Sequence, residues 1–159
     1  MDSPRNRKLV LYPSPGSVRV QQEEIALALE RVWQHGGWTV YIDELFYVTK
    51  MLGLGLMVER LLTQGRSKGI SVVCGMQRPT GITRYAISES THVVSFFLEG
   101  RDRKVLGEAG ASIVADAGET LGKYEFAWFY RPERASGQPE RMLWTGKLQD
   151  LTDDGRMAV

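Results

Sequence analysis

The adjacent carboxylates Asp43 and Glu44 are the residues of this sequence best placed to do chemistry. They directly follow residues 39–42, which are β-branched or aromatic throughout and therefore predict a strand. A short apolar run that ends in charge is typical of a strand buried on both faces of a parallel sheet. Because open α/β sheets bind ligands at the carboxyl ends of their strands, the pair is expected at a ligand site.

The chemistry of such a pair follows from the cost of burying charge. Carboxylates at a buried strand end raise the free energy of the fold unless a cation or a hydrogen-bond donor meets them. Mg²⁺ bound by Asp43 would meet that need, and Glu44 could then orient or deprotonate a water molecule. The alternative interpretation is a strand that ends in a solvated acidic turn.

Gln77 and Arg66 flank the next predicted strand, residues 70–75. In a parallel sheet Gln77 would lie at the same edge as the carboxylates, where its amide could hydrogen-bond a phosphate or an attacking water. The alternative is an amide that caps the turn before Pro79. Arg66 lies at the opposite end of this strand, so it could reach the site of a neighbouring subunit in a ring, as an arginine finger. Alternatively it is a solvated arginine that the dipole favours at a helix end.

Two further segments could have either a structural or a functional role. The charged run 101–104 usually indicates a solvated face, and its sharper interpretation is an interface pair or a phosphate-facing arginine. Residues 118–124 are the segment most similar to a phosphate-binding loop, Gly-x₄-Gly-Lys-Ser/Thr. They are one spacer short, no clear strand precedes them, and Tyr124 replaces the hydroxyl that would bind Mg²⁺, so we reject them as such a loop.

Composition bounds the class of protein. The chain has 159 residues, of which 43% are hydrophobic and 25% charged, as expected of one globular domain. A net charge of +1 gives no global signal for nucleic-acid binding. The single cysteine, Cys74, excludes an internal disulfide and a cysteine-cluster metal site. No apolar run approaches membrane-spanning length and the polar N-terminus is unlike a signal peptide, so we expect a cytoplasmic protein.

Periodicity and turn residues predict alternating strands and helices. The predicted strands are residues 9–12, 39–42, 70–75, 92–97 and 125–130, with 141–144 pairing back as a hairpin after a polar turn at 131–139. The predicted helices are residues 21–35, 54–64, 82–90 and 101–106. A Gly- and Ala-rich loop at 108–122 follows, which could include one turn of helix, and residues beyond 150 are expected to fray. The alternation predicts one α/β domain over residues 1–159, with a mostly parallel sheet in a core at 9–106 and with loop and terminal strands at 107–159.

The order of the motifs resembles that of the FtsK/HerA group of P-loop DNA-pumping ATPases. The group has an apolar strand ending in Asp-Glu, then an arginine, a short spacer and Gly-Ile, then a second apolar strand and Gln-Arg-Pro. Here these are Asp43-Glu44, Arg66, Gly69-Ile70 and Gln77-Arg78-Pro79. Residues 92–97 and the charged start of the next helix also resemble the group, so the similarity covers about residues 36–107.

The resemblance implies roles for five residues. Asp43 would bind Mg²⁺, Glu44 would be the catalytic base, and Gln77 the sensor of the γ-phosphate. Arg66 would be the finger that reaches the adjacent subunit, and Arg103 a second interface arginine. It further implies ATP and Mg²⁺ as cofactors, a RecA-like fold, a homo-oligomeric ring that is commonly a hexamer, and double-stranded DNA as the partner.

The sequence lacks one part of the family's pattern, because no phosphate-binding loop precedes the Asp-Glu strand. In the family's sheet that loop's strand lies between the strands that here end at Gln77 and Phe97. The resemblance therefore implies the C-terminal half of an ATP-hydrolysing DNA translocase or packaging motor, with a gap or a re-paired strand at that place in the sheet. Alone, the chain is expected to be inactive and to bind ATP weakly or not at all. The alternatives are a catalytically inactive homologue that serves as a scaffold or ring component, and an unrelated α/β protein.

Overall fold

The computed structural model describes residues 9–132 and 142–148. The helices are α1 (Val18–His35), α2 (Gly55–Gln64), α3 (Tyr85–Ser88), α4 (Gly100–Leu106) and α5 (Ser112–Ala117). The strands are β1 (Thr39–Ile42), β2 (Ser71–Cys74), β3 (His92–Ser95), β4 (Glu125–Tyr130) and β5 (Met142–Lys147). Short π-helical turns occupy Tyr47–Met51 and Gly107–Ala111, and a 3₁₀ turn occupies Gly65–Lys68.

The described strands form two sheets rather than one. β1 and β2 pair in parallel, with Thr39 opposite Ser71 and Ile42 opposite Cys74. β4 lies between β3 and β5 and is antiparallel to both. The prediction of a mostly parallel sheet is therefore wrong for the described residues, because the direction of β4 depends on how the chain returns from α5. β2 and β3 do not pair and belong to different sheets, so the gap or re-paired strand that the resemblance implies within one RecA-like sheet stays a prediction.

Each sheet packs on its own apolar cluster. The first cluster lies between α1, α2 and the β1–β2 pair, and includes Leu29, Leu45 and Val58. The second lies between α5 and the antiparallel sheet, and includes Val114 and Phe129. Burial of side chains of this size is worth about 1.5–3 kcal/mol each, which is the main source of stability for both sheets.

Helices α1 and α2 begin and end close to where the sequence places them. Ser17 accepts a hydrogen bond from the Val20 backbone N–H at the start of α1, and Gly36 ends it in the left-handed region. An ion pair of 2.7 Å from Arg60 to Glu30 joins the two helices. The Arg60 hydrogen bond also holds the pKa of the Glu30 carboxyl below its usual range. Among the described helices, none is both long and apolar enough to cross a bilayer.

Three predictions about local structure are wrong. Residues 9–12 form no strand, since the described chain offers them no pairing partner, and Tyr12 is 87% exposed. The expected loop at 108–122 contains helix α5, whose Val114 is fully buried. β1 and β2 are buried on one face only, because no described element covers the face that carries Tyr41 and Val73, which are 66% and 52% exposed. Most of the expected turn at 131–139 and the expected frayed end lie outside the described residues.

Candidate functional site

The carboxyl ends of β1 and β2 lie side by side. The Gly75 backbone N–H donates to the Ile42 carbonyl at 2.7 Å, and the Leu45 N–H donates to the Gly75 carbonyl at 3.0 Å. Asp43 therefore lies directly against Gly75, and Gln77 follows two residues later at the same edge. The predicted juxtaposition of the carboxylate pair and the segment that carries Gln77 is confirmed, whereas the roles of these residues stay predictions.

The two carboxylates have different surroundings. Asp43 is exposed, and its Oδ1 accepts a hydrogen bond of 2.8 Å from the Tyr41 hydroxyl. This bond and the negative charge of Asp43 raise the pKa of the Tyr41 phenol. Glu44 is half-buried, and its Oε1 accepts from the Phe46 backbone N–H at 3.2 Å. The hydroxyl and the amide thus orient both carboxylates at the strand end.

These oxygens fit Mg²⁺ in donor type. No group of three or more His, Cys, Asp or Glu side chains suited to a metal occurs within the part of the chain that the structure describes. Mg²⁺ commonly takes one or two protein carboxylates and completes its octahedron with waters and substrate phosphates. Asp43 could therefore contribute a ligand, with phosphate and water oxygens supplying the remainder.

Asp102 is a residue of this region that sequence reasoning missed. It lies in α4, is only 8% exposed, and accepts hydrogen bonds from Arg78 Nε at 2.8 Å and from the Thr80 hydroxyl. The Thr80 bond, and then Arg78, lower the pKa of its carboxyl. The only sequence signal is an acid within the basic run 101–104, which predicts a solvated face. The structure instead anchors the segment after Gln77 to α4.

The same segment also contacts the chain that follows Glu44. A Cβ atom at Gly81 would lie 3.3 Å from the ring of Phe46, and Gly81 has φ +91°. Only glycine adopts that conformation readily and leaves room for the ring. Gln77 is thus carried on a loop that is held between Phe46 on one side and Asp102 on the other.

The two arginines of the predicted site lie elsewhere. Arg66 is exposed in the 3₁₀ turn before β2, at the amino edge of the β1–β2 sheet, as the sequence predicts. Arg103 forms an ion pair with Glu119. Neither guanidinium is therefore described in contact with Asp43 or Glu44 of its own chain.

Two other features are excluded from the chemistry of the site. Burial raises the pKa of the Cys74 thiol to about 11, so it stays protonated and unreactive at neutral pH. The segment 118–124 follows helix α5 rather than a strand, which supports its rejection as a phosphate-binding loop.

Gly75 allows the two strand ends to approach, and Gly75→Ala is expected to force them apart. The added Cβ would lie 2.3 Å from the Asp43 carbonyl oxygen, a backbone atom that cannot rotate away. Overpacking of this kind costs about 1–3 kcal/mol, so urea unfolding should show a free energy of unfolding lower by that amount.

Gly107→Ala is the matched control for this substitution. Its Cβ would meet Ala115 at an ordinary 3.7 Å, and a helical alanine should leave stability unchanged or slightly higher. Equal unfolding midpoints for Gly75→Ala and wild type would contradict the close packing of Asp43 on Gly75.

Comparison with known proteins was made by sequence and by structure. No family model matches the sequence. Over 105 residues, 65% of this chain, it is 35% identical to the DNA packaging ATPase P9 of Enterobacteria phage PRD1, of which it covers 44%.

The solved structures similar to this chain include those of B204, a genome packaging NTPase. B204 of Sulfolobus turreted icosahedral virus 2 in complex with sulfate gives a TM-score of 0.61 at 14% identity, over 86% of this chain and 65% of that one. Its complex with ATP-γS gives 0.58 at 14% identity, over 79% and 61%. B204 from Sulfolobus turreted icosahedral virus, described as the DNA-packaging ATPase, gives 0.56 at 19% identity, over 79% and 59%.

The chain thus spans 44% of its sequence relative and about three fifths of these B204 structures, at 59% to 65%. At such identities the structural comparison shows a shared fold, while the sequence comparison shows relatedness to a packaging ATPase. Together they confirm the resemblance that the motif order indicates: this chain is similar to ATPases of the FtsK/HerA type, and the relatives it matches are viral genome-packaging enzymes.

Proposed function

We propose that this chain supplies the Mg²⁺-binding, catalytic-base, sensor and arginine-finger residues of a genome-packaging ATPase that moves double-stranded DNA. Asp43 binds Mg²⁺ on the triphosphate, Glu44 activates the attacking water, and Gln77 contacts the γ-phosphate or that water. The observation that carries the proposal is the parallel pairing of β1 and β2, which puts the carboxylate pair and the Gln77 loop at one edge.

The surroundings of Glu44 favour its role as the base. The Phe46 N–H orients one oxygen of the carboxylate, while the half-buried side chain retains a second oxygen that can accept a proton. Asp43 is exposed and oriented by Tyr41, as a ligand that must meet an incoming Mg²⁺–nucleotide complex should be. The difference in exposure supports metal binding by Asp43 and proton transfer by Glu44.

The position of Arg66 favours a ring. An arginine at the amino edge of the sheet is separated from Asp43 by the full length of β2, so it would complete a neighbour's site rather than its own. Arg103, now paired with Glu119, would face the same interface. Such an assembly is homo-oligomeric, and a hexamer is the arrangement that the resemblance implies.

Nucleotide binding tests the proposal directly. A phosphate-binding loop supplies the backbone N–H nest and the lysine that bind most of the triphosphate, and its motif does not occur in the printed sequence. We therefore expect a fluorescent ATP analogue to bind this chain weakly or not at all. The same chain joined in frame to the segment encoded upstream, if that segment carries Gly-x₄-Gly-Lys-Ser/Thr, should bind it and hydrolyse ATP in a Mg²⁺-dependent reaction.

Two results would contradict this proposal. Submicromolar ATP binding by the 159-residue chain alone would show that it has a nucleotide site of another kind. If the chain joined to its upstream segment assembled and bound DNA but never hydrolysed ATP, this result would favour the second candidate, a scaffold or ring component. The absence of a phosphate-binding loop from the printed sequence is the observation that favours this second candidate.

A further inference from the structure

We propose that Asp102 is a positioning residue, which fixes Gln77 at the β1–β2 edge and links its position to helix α4. The inference rests on the proposed function, because it assigns a residue that controls the same site from outside it. Asp102 itself touches neither Asp43 nor Glu44 in any described contact, so it would act through the loop that carries Gln77.

The first step of the argument is that the loop has two points of attachment to one carboxylate. Asp102 Oδ2 accepts from Arg78 Nε at 2.8 Å, and Asp102 Oδ1 accepts from the Thr80 hydroxyl. The buried Pro79 lies between these two donors and fixes its own φ. A single hydrogen bond would leave the loop free to rotate about it. Two hydrogen bonds, one on either side of a proline, set the orientation of the loop as well as its distance from Asp102.

The second step concerns burial. Asp102 is 8% exposed, and a carboxylate at that depth is costly unless its oxygens are hydrogen-bonded. Arg78 and Thr80 meet both oxygens of this carboxylate, and the Arg78 side chain itself is 73% exposed. The arrangement therefore favours the loop conformation in which both bonds are kept.

The third step is that both ends of the link lead to predicted site residues. On one side, Gly81 packs against Phe46, whose N–H donates to Glu44. On the other side, α4 carries Arg103, the predicted interface arginine. Asp102 thus lies between the γ-phosphate sensor and the face of the chain expected to meet a neighbouring subunit, and a shift of α4 would move Gln77.

Asp102→Asn in this chain, observed by ¹⁵N NMR, tests whether the link exists. In the variant the Arg78 Nε–H should exchange with water faster than in wild type, and the Gln77 backbone order parameter should fall from about 0.85 to below about 0.6. The matched control is Glu30→Gln, which removes another arginine–carboxylate contact, 2.7 Å long, between α1 and α2. The control should leave the Gln77 order parameter unchanged.

The second measurement tests positioning against a purely structural role. In the joined, ATP-hydrolysing protein, Asp102→Asn should lower kcat about tenfold and change KM for ATP less than about twofold, because Gln77 acts on the reacting phosphate rather than on overall binding. Thr80→Val removes one of the two attachments and keeps the ion pair, so it should give an intermediate kcat. It also serves if Asp102→Asn fails to fold.

The outcomes separate this inference from the proposed function. An unchanged Gln77 order parameter in Asp102→Asn or in Thr80→Val overturns the link. A mobile Gln77 with unchanged kcat overturns the positioning role. Absence of turnover in the joined wild-type protein defeats the proposed ATPase, whereas the NMR measurement then still decides whether Asp102 holds Gln77.

Discussion

Glu44→Gln is expected to lower ATP turnover of the joined protein by about 10²–10⁴-fold, the usual contribution of a general base. Glutamine has nearly the same shape and its carbonyl oxygen can still accept from the Phe46 N–H, so the local structure should persist. It cannot take a proton from water at neutral pH. Phosphate release at saturating ATP measures the loss, and binding of a non-hydrolysable analogue should stay within about threefold of wild type.

The control for this substitution is Glu23→Gln, on the exposed surface of α1. Glu23 forms a 3.0 Å ion pair with Arg19 in which both side chains are largely exposed, so its loss should leave turnover and assembly unchanged. If Glu44→Gln retained more than about a tenth of wild-type turnover, Glu44 would not be the base.

Arg66→Ala is expected to reduce turnover by at least about 10³-fold, the lower end of the range for arginine fingers. The positive guanidinium would neutralise the negative charge that develops on the phosphate bound by the adjacent subunit. Alanine lacks this positive charge. Because the residue lies at the amino edge of the sheet, mixing should reveal a trans effect. Arg66→Ala subunits retain Glu44, and Glu44→Gln subunits retain Arg66, so mixed rings contain interfaces with both groups intact.

Recovery of activity on mixing two inactive variants is thus the expected result. Arg31→Ala, a substitution of an exposed arginine of α1, is the control and should leave turnover unchanged. If mixing restores no activity although the subunits exchange, Arg66 acts within its own subunit or not at all. That outcome would exclude the proposed arginine finger.

Local sequence predicted those elements whose signals lie within a few residues. Helices α1 and α2 have apolar stripes at helical spacing, and Gly36 ends α1 as expected. β4 was predicted at its observed bounds because it is almost wholly aromatic or apolar. Helix α5 was missed because its six residues are too few to show an amphipathic stripe, and its burial depends on the distant Ala127 and Phe129.

The candidate site was predictable only in part, for a similar reason. Two parallel strands bring their ends together whatever their detailed packing, so Asp43 and the Gln77 segment could be placed in advance. Asp102 meets Arg78 across 24 residues of sequence, and nothing in the run 101–104 signals that one member is buried. The exposed face of Tyr41 was missed because every residue of β1 fits a strand interior, which hides the alternation of buried and open positions.

The division of the apolar interior has a mechanical consequence. Ile82 packs against both clusters, and it follows Gln77 by five residues on the segment that connects β2 to α3. Close-packed interiors resist deformation, so any rocking of one half of the molecule against the other would act on the segment from Ile82 into α3, where Ala86 packs in the first cluster and Ile87 in the second. If Gln77 senses the γ-phosphate as proposed, a small change at the nucleotide would reach the other half of the molecule through this segment.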